Sequence, residues 1–184
     1  MLAIVVPQTE YFDESCQKFV VSKPHNLMLE HSLVSLAKWE AKWKKPFLSK
    51  KEKTPEELLD YIKFMTITQN VSDDVYRDLA CHSEILSQIT DYIKDPMTAT
   101  TFSSAQEAKT GIGRQVVTAE IIYYWMIQLN IPVEFQKWHL NRLLALIKVC
   151  DLKTSPKKKM PRGKIYSKNR QLNAARRAKL GTNG

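Results

Sequence analysis

Few residues in the sequence could bind a metal or act in catalysis, and their spacing does not predict that they form a common site. The chain has four histidines and three cysteines, namely His25, His31, His82, His139, Cys16, Cys81 and Cys150. No two histidines are one helical turn apart, and the adjacent pair Cys81 and His82 is poorly spaced for two metal ligands on one helix. An odd number of distant cysteines also argues against a disulfide framework. The sequence therefore predicts no metal site.

Two further features of the sequence could take part in catalysis. Gly111-Ile112-Gly113 precedes a predicted helix, as in a phosphate-binding loop, but it lacks a third glycine and a strong preceding strand, which favours a flexible loop. Glu120 lies in a strongly apolar segment, where a carboxylate must be paired or protonated, and we expect Arg142 or Lys137 as its partner. Because no second catalytic group accompanies it, we predict that the protein is not an enzyme and has no cofactor.

The positive charge is confined to the C-terminal end. Residues 153–184 contain eleven Lys or Arg and no Asp or Glu, which leaves 28 − 11 = 17 basic and 19 acidic residues, or about −2, for the rest. Such an arm favours RNA, DNA or an acidic protein surface, with a solubilising tail as the alternative. Tyr166 is the arm's one aromatic ring, so stacking on bases is not indicated. The candidate contacts in the arm are Lys157, Lys158, Lys159, Arg162, Arg170, Arg176 and Arg177.

The first thirty residues have the composition of short strands. Leu2–Val6, Phe19–Val21 and Leu27–Leu29 are apolar runs, and Pro24-His25-Asn26 is typical of a turn before the third run. We expect an antiparallel sheet of two or three strands here. Thr98–Phe102 also favours an extended conformation and is expected to add to this sheet.

Capping residues predict the following helices. Ser32 begins a helix that runs to about Trp43, and Thr54-Pro55-Glu56-Glu57 is a capping box with proline in the first turn. The second helix is expected to bury the apolar residues Leu58, Leu59, Ile62 and Met65. Shorter helices begin near Ser72 and Ser83, and the latter stops at Asp95-Pro96. Ser103–Gly113 is predicted to be a polar loop.

Two apolar helices are predicted near the C-terminal end of the body. The segment Arg114–Asn130 is apolar on nearly all sides, and Val133–Val149 follows a break at Asn130-Ile131-Pro132. We expect them to form a helical hairpin at the core of the fold. Four aromatic residues are candidates for contacts with a partner: Trp39, Trp43, Tyr123 and Tyr124. For the two tryptophans, core packing or a partly buried lid is the simpler interpretation, and an exposed anchor for a partner is the alternative.

The predicted fold class is mainly α with a small N-terminal antiparallel β element (α+β). The expected domains are a body at 1–151 (sheet at 1–30, helical core at 32–150), a Pro/Lys linker at 152–163 and a basic helical arm at 164–184. No apolar run is long enough for a signal sequence or a membrane span, so we expect a cytoplasmic protein without a membrane partner.

Several segments resemble a family of tail assembly chaperones from long-tailed phages. The resemblance is carried by Leu29–Glu40, Pro96–Phe102, Thr118–Met126, Phe135–Leu144 and Leu172–Arg177, and it covers nearly the whole chain. It implies a non-catalytic protein of the host cytoplasm that binds the long, helical tape measure protein, together with other tail proteins, and keeps it soluble during tail assembly. The sequence is also compatible with self-association.

Two other functions are compatible with the residues. A structural protein of the tail or of the head–tail junction would be present in the virion. A nucleic-acid-binding protein would act through the basic arm, and its binding would weaken steeply with salt.

Overall fold

Helices dominate the secondary structure, and the described strands all lie near the N-terminus. The computed structural model describes residues 1–13, 17–102, 116–154 and 162–182. The predicted class, mainly α with a small N-terminal antiparallel β element, is confirmed. The chain divides into two compact units, Met1–Asp151, called the body, and Leu152–Gly184, called the arm unit.

The elements follow one another in a simple order. They are β1 (Leu2–Val6), β2 (Glu10–Asp13), β3 (Lys18–Val21), β4 (His25–Leu29), α1 (Leu33–Trp43), α2 (Pro55–Met65), α3 (Asp73–Cys81), α4 (Ser83–Lys94), α5 (Ala119–Gln128), a 3-10 helix (Val133–Lys137), α6 (Leu140–Thr154) and α7 (Arg162–Leu180). The loop predicted at Ser103–Gly113 and the central part of the predicted linker lie outside the described residues. Residues 152–154, assigned to that linker, instead continue α6.

The N-terminal strands form two separate antiparallel pairs. Strand β1 pairs with β4, in a register that places Leu2 opposite Leu29, and β2 pairs with β3. The prediction of a turn at Pro24-His25-Asn26 is wrong, because pairing with β1 draws His25 and Asn26 into β4. The expected addition of Thr98–Phe102 to this sheet is also wrong, since those described residues have no strand conformation.

Helix α1 is the element against which much of the body packs. It contacts α2, α5 and the 3-10 helix, and it buries Leu33, Leu36 and Trp39. Ser32 caps its start by accepting a hydrogen bond from the Ser35 amide, and Lys44 ends it in a left-handed conformation with φ of 53°. The predicted bounds of this helix are confirmed, because its stop and start signals are local.

Helix α2 begins with the predicted capping box. The Glu57 amide donates to Thr54 Oγ1 over 3.3 Å, and the Thr54 amide donates to Glu57 Oε2 over 2.9 Å. The inward stripe contains Glu57, Tyr61, Ile62 and Met65. Leu58 lies beside that stripe and is 44% exposed, so its predicted burial is wrong.

The two helices predicted to form the C-terminal hairpin differ from the prediction in where they begin and in their continuity. Helix α5 begins at Ala119 rather than near Arg114, and the expected helix over Val133–Val149 is interrupted. The interruption follows from tertiary contacts. His139 forms a β-bridge with Ser32, and the next residue, Leu140, donates its amide to the His31 carbonyl over 2.7 Å. The packing of the body is therefore organised around α1.

The capping box of α2 can be tested against a matched position on α3. Thr54→Ala removes the acceptor for the Glu57 amide, and we expect the free energy of unfolding to fall by about 1 kcal/mol. Ser72 holds the equivalent position on α3 but makes no side-chain cap hydrogen bond, so Ser72→Ala is expected to change stability much less. Urea denaturation followed by circular dichroism measures both. Equal losses would contradict the assignment.

Candidate functional site

The two tryptophans proposed as partner contacts have structural roles in the body. Trp39 is only 1% exposed and donates from Nε1 to the Glu57 carbonyl over 2.8 Å, which places it in the core and corrects its assignment to a contact surface. Trp43 is half-buried, and its Nε1 donates to Asp60 Oδ2 over 3.0 Å. The ammonium groups of Lys42 and Lys45 each lie 5.6 Å from a Trp43 ring centroid. Trp43 therefore presents only part of its ring to solvent.

Helix α5 places its two candidate tyrosines in different environments. Tyr123 is half-buried and donates its hydroxyl to Gln136 Oε1 over 2.9 Å, and burial raises its pKa. Tyr124 is 59% exposed, and Ile127 in the next turn is 76% exposed. Because Ile122 and Met126 fill the core on the other side, α5 is apolar on both faces. Tyr124 and Ile127 are called the outer face of α5 below.

Only some of the candidate cationic residues of the arm lie within the described residues. Lys157, Lys158 and Lys159 lie outside the described residues, and Arg162 is the first residue of α7. The side chains of Arg170, Arg176 and Arg177 are exposed. Helix α7 carries seven Lys or Arg, counted over residues 162–180, and no Asp or Glu. It is a cationic helix with a large exposed charge.

A buried carboxylate, which the sequence did not reveal, positions α5. Glu40 is 8% exposed, and its Oε1 and Oε2 accept the backbone amides of Phe47 (2.8 Å) and Ala119 (2.7 Å). Ala119 is the first residue of α5, so the negative charge lies at the amide end of the helix, where the helix dipole favours it. The carboxylate of Glu40 fixes where α5 begins.

Glu120 has a different environment from the one expected. Its side chain is exposed, and hydrogen bonds from its own backbone amide and from the Thr118 hydroxyl lower its pKa. The predicted pairing with Arg142 or Lys137 is therefore wrong. The guanidinium of Arg142 instead lies 4.3 Å from the Trp138 ring centroid. Helix α5 starts later than predicted, which places Glu120 in its first turn, beside solvent.

Two histidines that lie far apart in sequence meet in the core. The rings of His31 and His139 are 5.0 Å apart, and His31 Nδ1 lies 2.5 Å from the Tyr61 hydroxyl. His139 donates from Nε2 to the Tyr92 carbonyl over 3.0 Å. Burial, and then the neighbouring His139, lower the pKa of His31 to about 3. The pair is therefore neutral near pH 7, which suits packing better than proton transfer.

This pair makes stability depend on pH. The pKa of His31 is about 3 when folded and ordinarily 6.5, so between those values the unfolded chain binds more protons. Stability is therefore lost as the pH falls below 6.5, by about 2 kcal/mol from this group between about pH 7 and about pH 5. Urea midpoints across that range measure the loss.

Two matched variants compare the contributions of the buried His31 and the exposed His25 to the pH dependence of stability. His31→Gln is expected to flatten the pH dependence of stability, and His25→Gln, at an exposed imidazole outside the pair, is the control. The His31 ring protons, followed by NMR, should show no titration above about pH 4. A titration near 6.5 would contradict the burial of a neutral imidazole.

A groove of about 780 Å³ opens on the body beside α5 and α6. Its apolar walls include Trp125 of α5, Leu144 of α6 and Phe102. Lysines also line it, among them Lys50 and Lys94. The sequence did not predict this groove, because the residues that form it come from distant segments.

The structure gives no sign of a metal centre in the ranges that it describes, where no three His, Cys, Asp or Glu side chains come together as ligands. In those same ranges, no helix is both long enough and apolar enough to cross a bilayer.

The attachment of α5 by Glu40 can be tested directly. Glu40→Gln keeps one acceptor oxygen but turns an amide NH2 toward a second backbone N–H, which leaves a buried donor unsatisfied. We expect the free energy of unfolding to fall by about 2 kcal/mol. Hydrogen exchange at the Ala119 amide should also become faster. Glu52→Gln, at an exposed carboxylate that precedes α2, is the control and should change neither measurement.

No protein-family model, curated protein or solved structure matches this chain.

Proposed function

We propose that this chain is a non-catalytic tail assembly chaperone that binds a tape measure protein and keeps it soluble until the tail tube forms around it. The observation that carries the proposal is the outer face of α5, where Tyr124 and Ile127 are exposed on a helix held in place by Glu40. The segments that resemble the chaperone family support it, and one of them, Thr118–Met126, contains most of α5.

An exposed apolar helix face suits a chaperone that keeps its partner soluble by covering the partner's apolar surface. A long helical protein exposes apolar stripes before its own assembly, and covering them with another apolar surface prevents aggregation. An aromatic ring offers a large contact area at a small cost in side-chain entropy, and Tyr124 is such a ring. Binding of this kind needs no reacting group.

The test is co-expression with the tape measure protein that is encoded in the same genome. We expect the soluble fraction of the tape measure protein to rise severalfold and the two proteins to co-purify. Tyr124→Ser with Ile127→Ser should remove most of that gain, because it deletes the apolar contact while leaving the core of α5 intact.

A matched control removes an exposed apolar residue elsewhere. Leu58→Ser acts on α2, where Leu58 is 44% exposed, and it should leave the soluble fraction unchanged. If the tape measure protein is equally insoluble with and without this chain, the chaperone proposal fails. Detection of the chain in purified virions by mass spectrometry would favour a structural protein of the tail or head–tail junction.

The arm supports a second candidate function, binding of nucleic acid. The exposed cations of α7 would contact phosphates, and such binding weakens steeply as salt increases. Deletion of residues 153–184 separates the candidates. If the shortened chain still binds the tape measure protein at high salt, the chaperone function belongs to the body; if the deletion abolishes binding, the arm carries it.

A further inference from the structure

The groove beside α5 and α6 is held open by specific contacts. Asn141 of α6 donates from Nδ2 to the carbonyls of Ile93 (2.9 Å) and Asp95 (2.7 Å), which ties α6 to the end of α4. The ammonium of Lys148 lies 4.1 Å from the Phe102 ring centroid. These contacts join α6 to the end of α4 and to Phe102, so they fix the relative positions of those walls.

The surface of the groove combines apolar walls with positive charge. Trp125 and Leu144 are half-buried in its walls, and Val116 on its border is 57% exposed. Lys50 and Lys94 are exposed, and neither forms a salt bridge with another described residue. The described residues that line the groove include no Asp or Glu. A complementary ligand is therefore apolar along one side and acidic along its flanks.

The chain itself offers no such ligand among its described helices. Helix α7 is cationic and has no acidic residue, so the lysines of the groove would repel it. The acidic helices α2, α3 and α4 direct their apolar stripes, which include Ile62, Leu79 and Ile89, into the core. A second copy of the folded body therefore lacks a free acidic amphipathic helix.

We infer that this groove binds an acidic amphipathic helix from a partner protein. Apolar residues of that helix at positions i, i+3 or i+4 and i+7 pack against Trp125 and Leu144. Carboxylates on either side of the apolar stripe pair with Lys50 and Lys94, which fixes the orientation of the helix. This inference rests on the proposed function in one respect, namely that the partner is a protein. It adds that the bound segment of that protein is an acidic amphipathic helix.

The test uses two synthetic helical peptides and the full-length chain. The peptides share a leucine stripe at i, i+3, i+4 and i+7, and they carry Glu or Lys at the flanking positions. Fluorescence anisotropy of labelled peptide measures affinity. A change of tryptophan emission that is present in the unaltered chain and lost in Trp125→Phe reports occupation of the groove, because the chain has three other tryptophans. We expect the acidic peptide to bind at least about tenfold more tightly than its basic twin.

Reversing the charge of the two groove lysines then distinguishes binding at a specific site from nonspecific electrostatic attraction. Lys50→Glu with Lys94→Glu should weaken the acidic peptide about tenfold or more and restore binding of the basic peptide. Lys23→Glu with Lys137→Glu changes the net charge equally at exposed positions outside the groove and should leave both affinities unchanged. Val116→Ser should weaken both peptides without changing the thermal unfolding midpoint.

Several outcomes would overturn the inference. The two peptides could bind with equal affinity, or the two double charge reversals could have the same effect. The Lys50 and Lys94 variant could lose self-association of the chain. A DNA or RNA oligonucleotide could compete for the groove more tightly than the acidic peptide does. If that variant still solubilises the tape measure protein fully, the groove is not its site, although the chaperone function stands. If both peptides behave as expected but no tape measure protein is solubilised, the proposed function fails and the groove specificity stands.

Discussion

The carboxylate of Glu40 accepts backbone amides from two distant parts of the chain, at Phe47 and Ala119. A buried carboxylate is costly unless its oxygens are hydrogen-bonded, and here each oxygen has a donor. Phe47 in turn stacks on Tyr61, with ring centroids 3.9 Å apart, and meets the edge of Trp39. One side chain thus fixes the aromatic centre of the body and the start of α5. Both the outer face of α5 and one wall of the groove depend on that position.

The parts of the fold that the sequence predicted well are those whose interacting residues lie within one turn of each other. The capping boxes at Ser32 and Thr54 need only a partner three residues further on, so the bounds of α1 and the start of α2 could be read directly. The mainly helical class followed from the same signals. Within the candidate site, the apolar character on both sides of α5 and the cationic character of the arm were also predictable.

The remaining features depend on contacts between distant residues. The pattern over Val133–Val149 is helical, yet the amide of Leu140 pairs with His31 and the helix breaks there. Trp39 and Trp43 look alike in sequence, but only the packing around α1 buries the first of them. Glu40 and the histidine pair have no local signature at all, because each needs a partner from another element.

The separation of charge from apolar surface has a kinetic consequence. Cations act across a Debye length of about 8 Å at physiological salt, so they raise the rate at which an acidic partner is encountered. Apolar contacts form only after docking, and they mainly determine how slowly the partner leaves. In this chain the densest charge lies in the arm unit, whereas the outer face of α5 and the groove lie in the body. Encounter rate and residence time would then be set by different segments, and either one could change without the other.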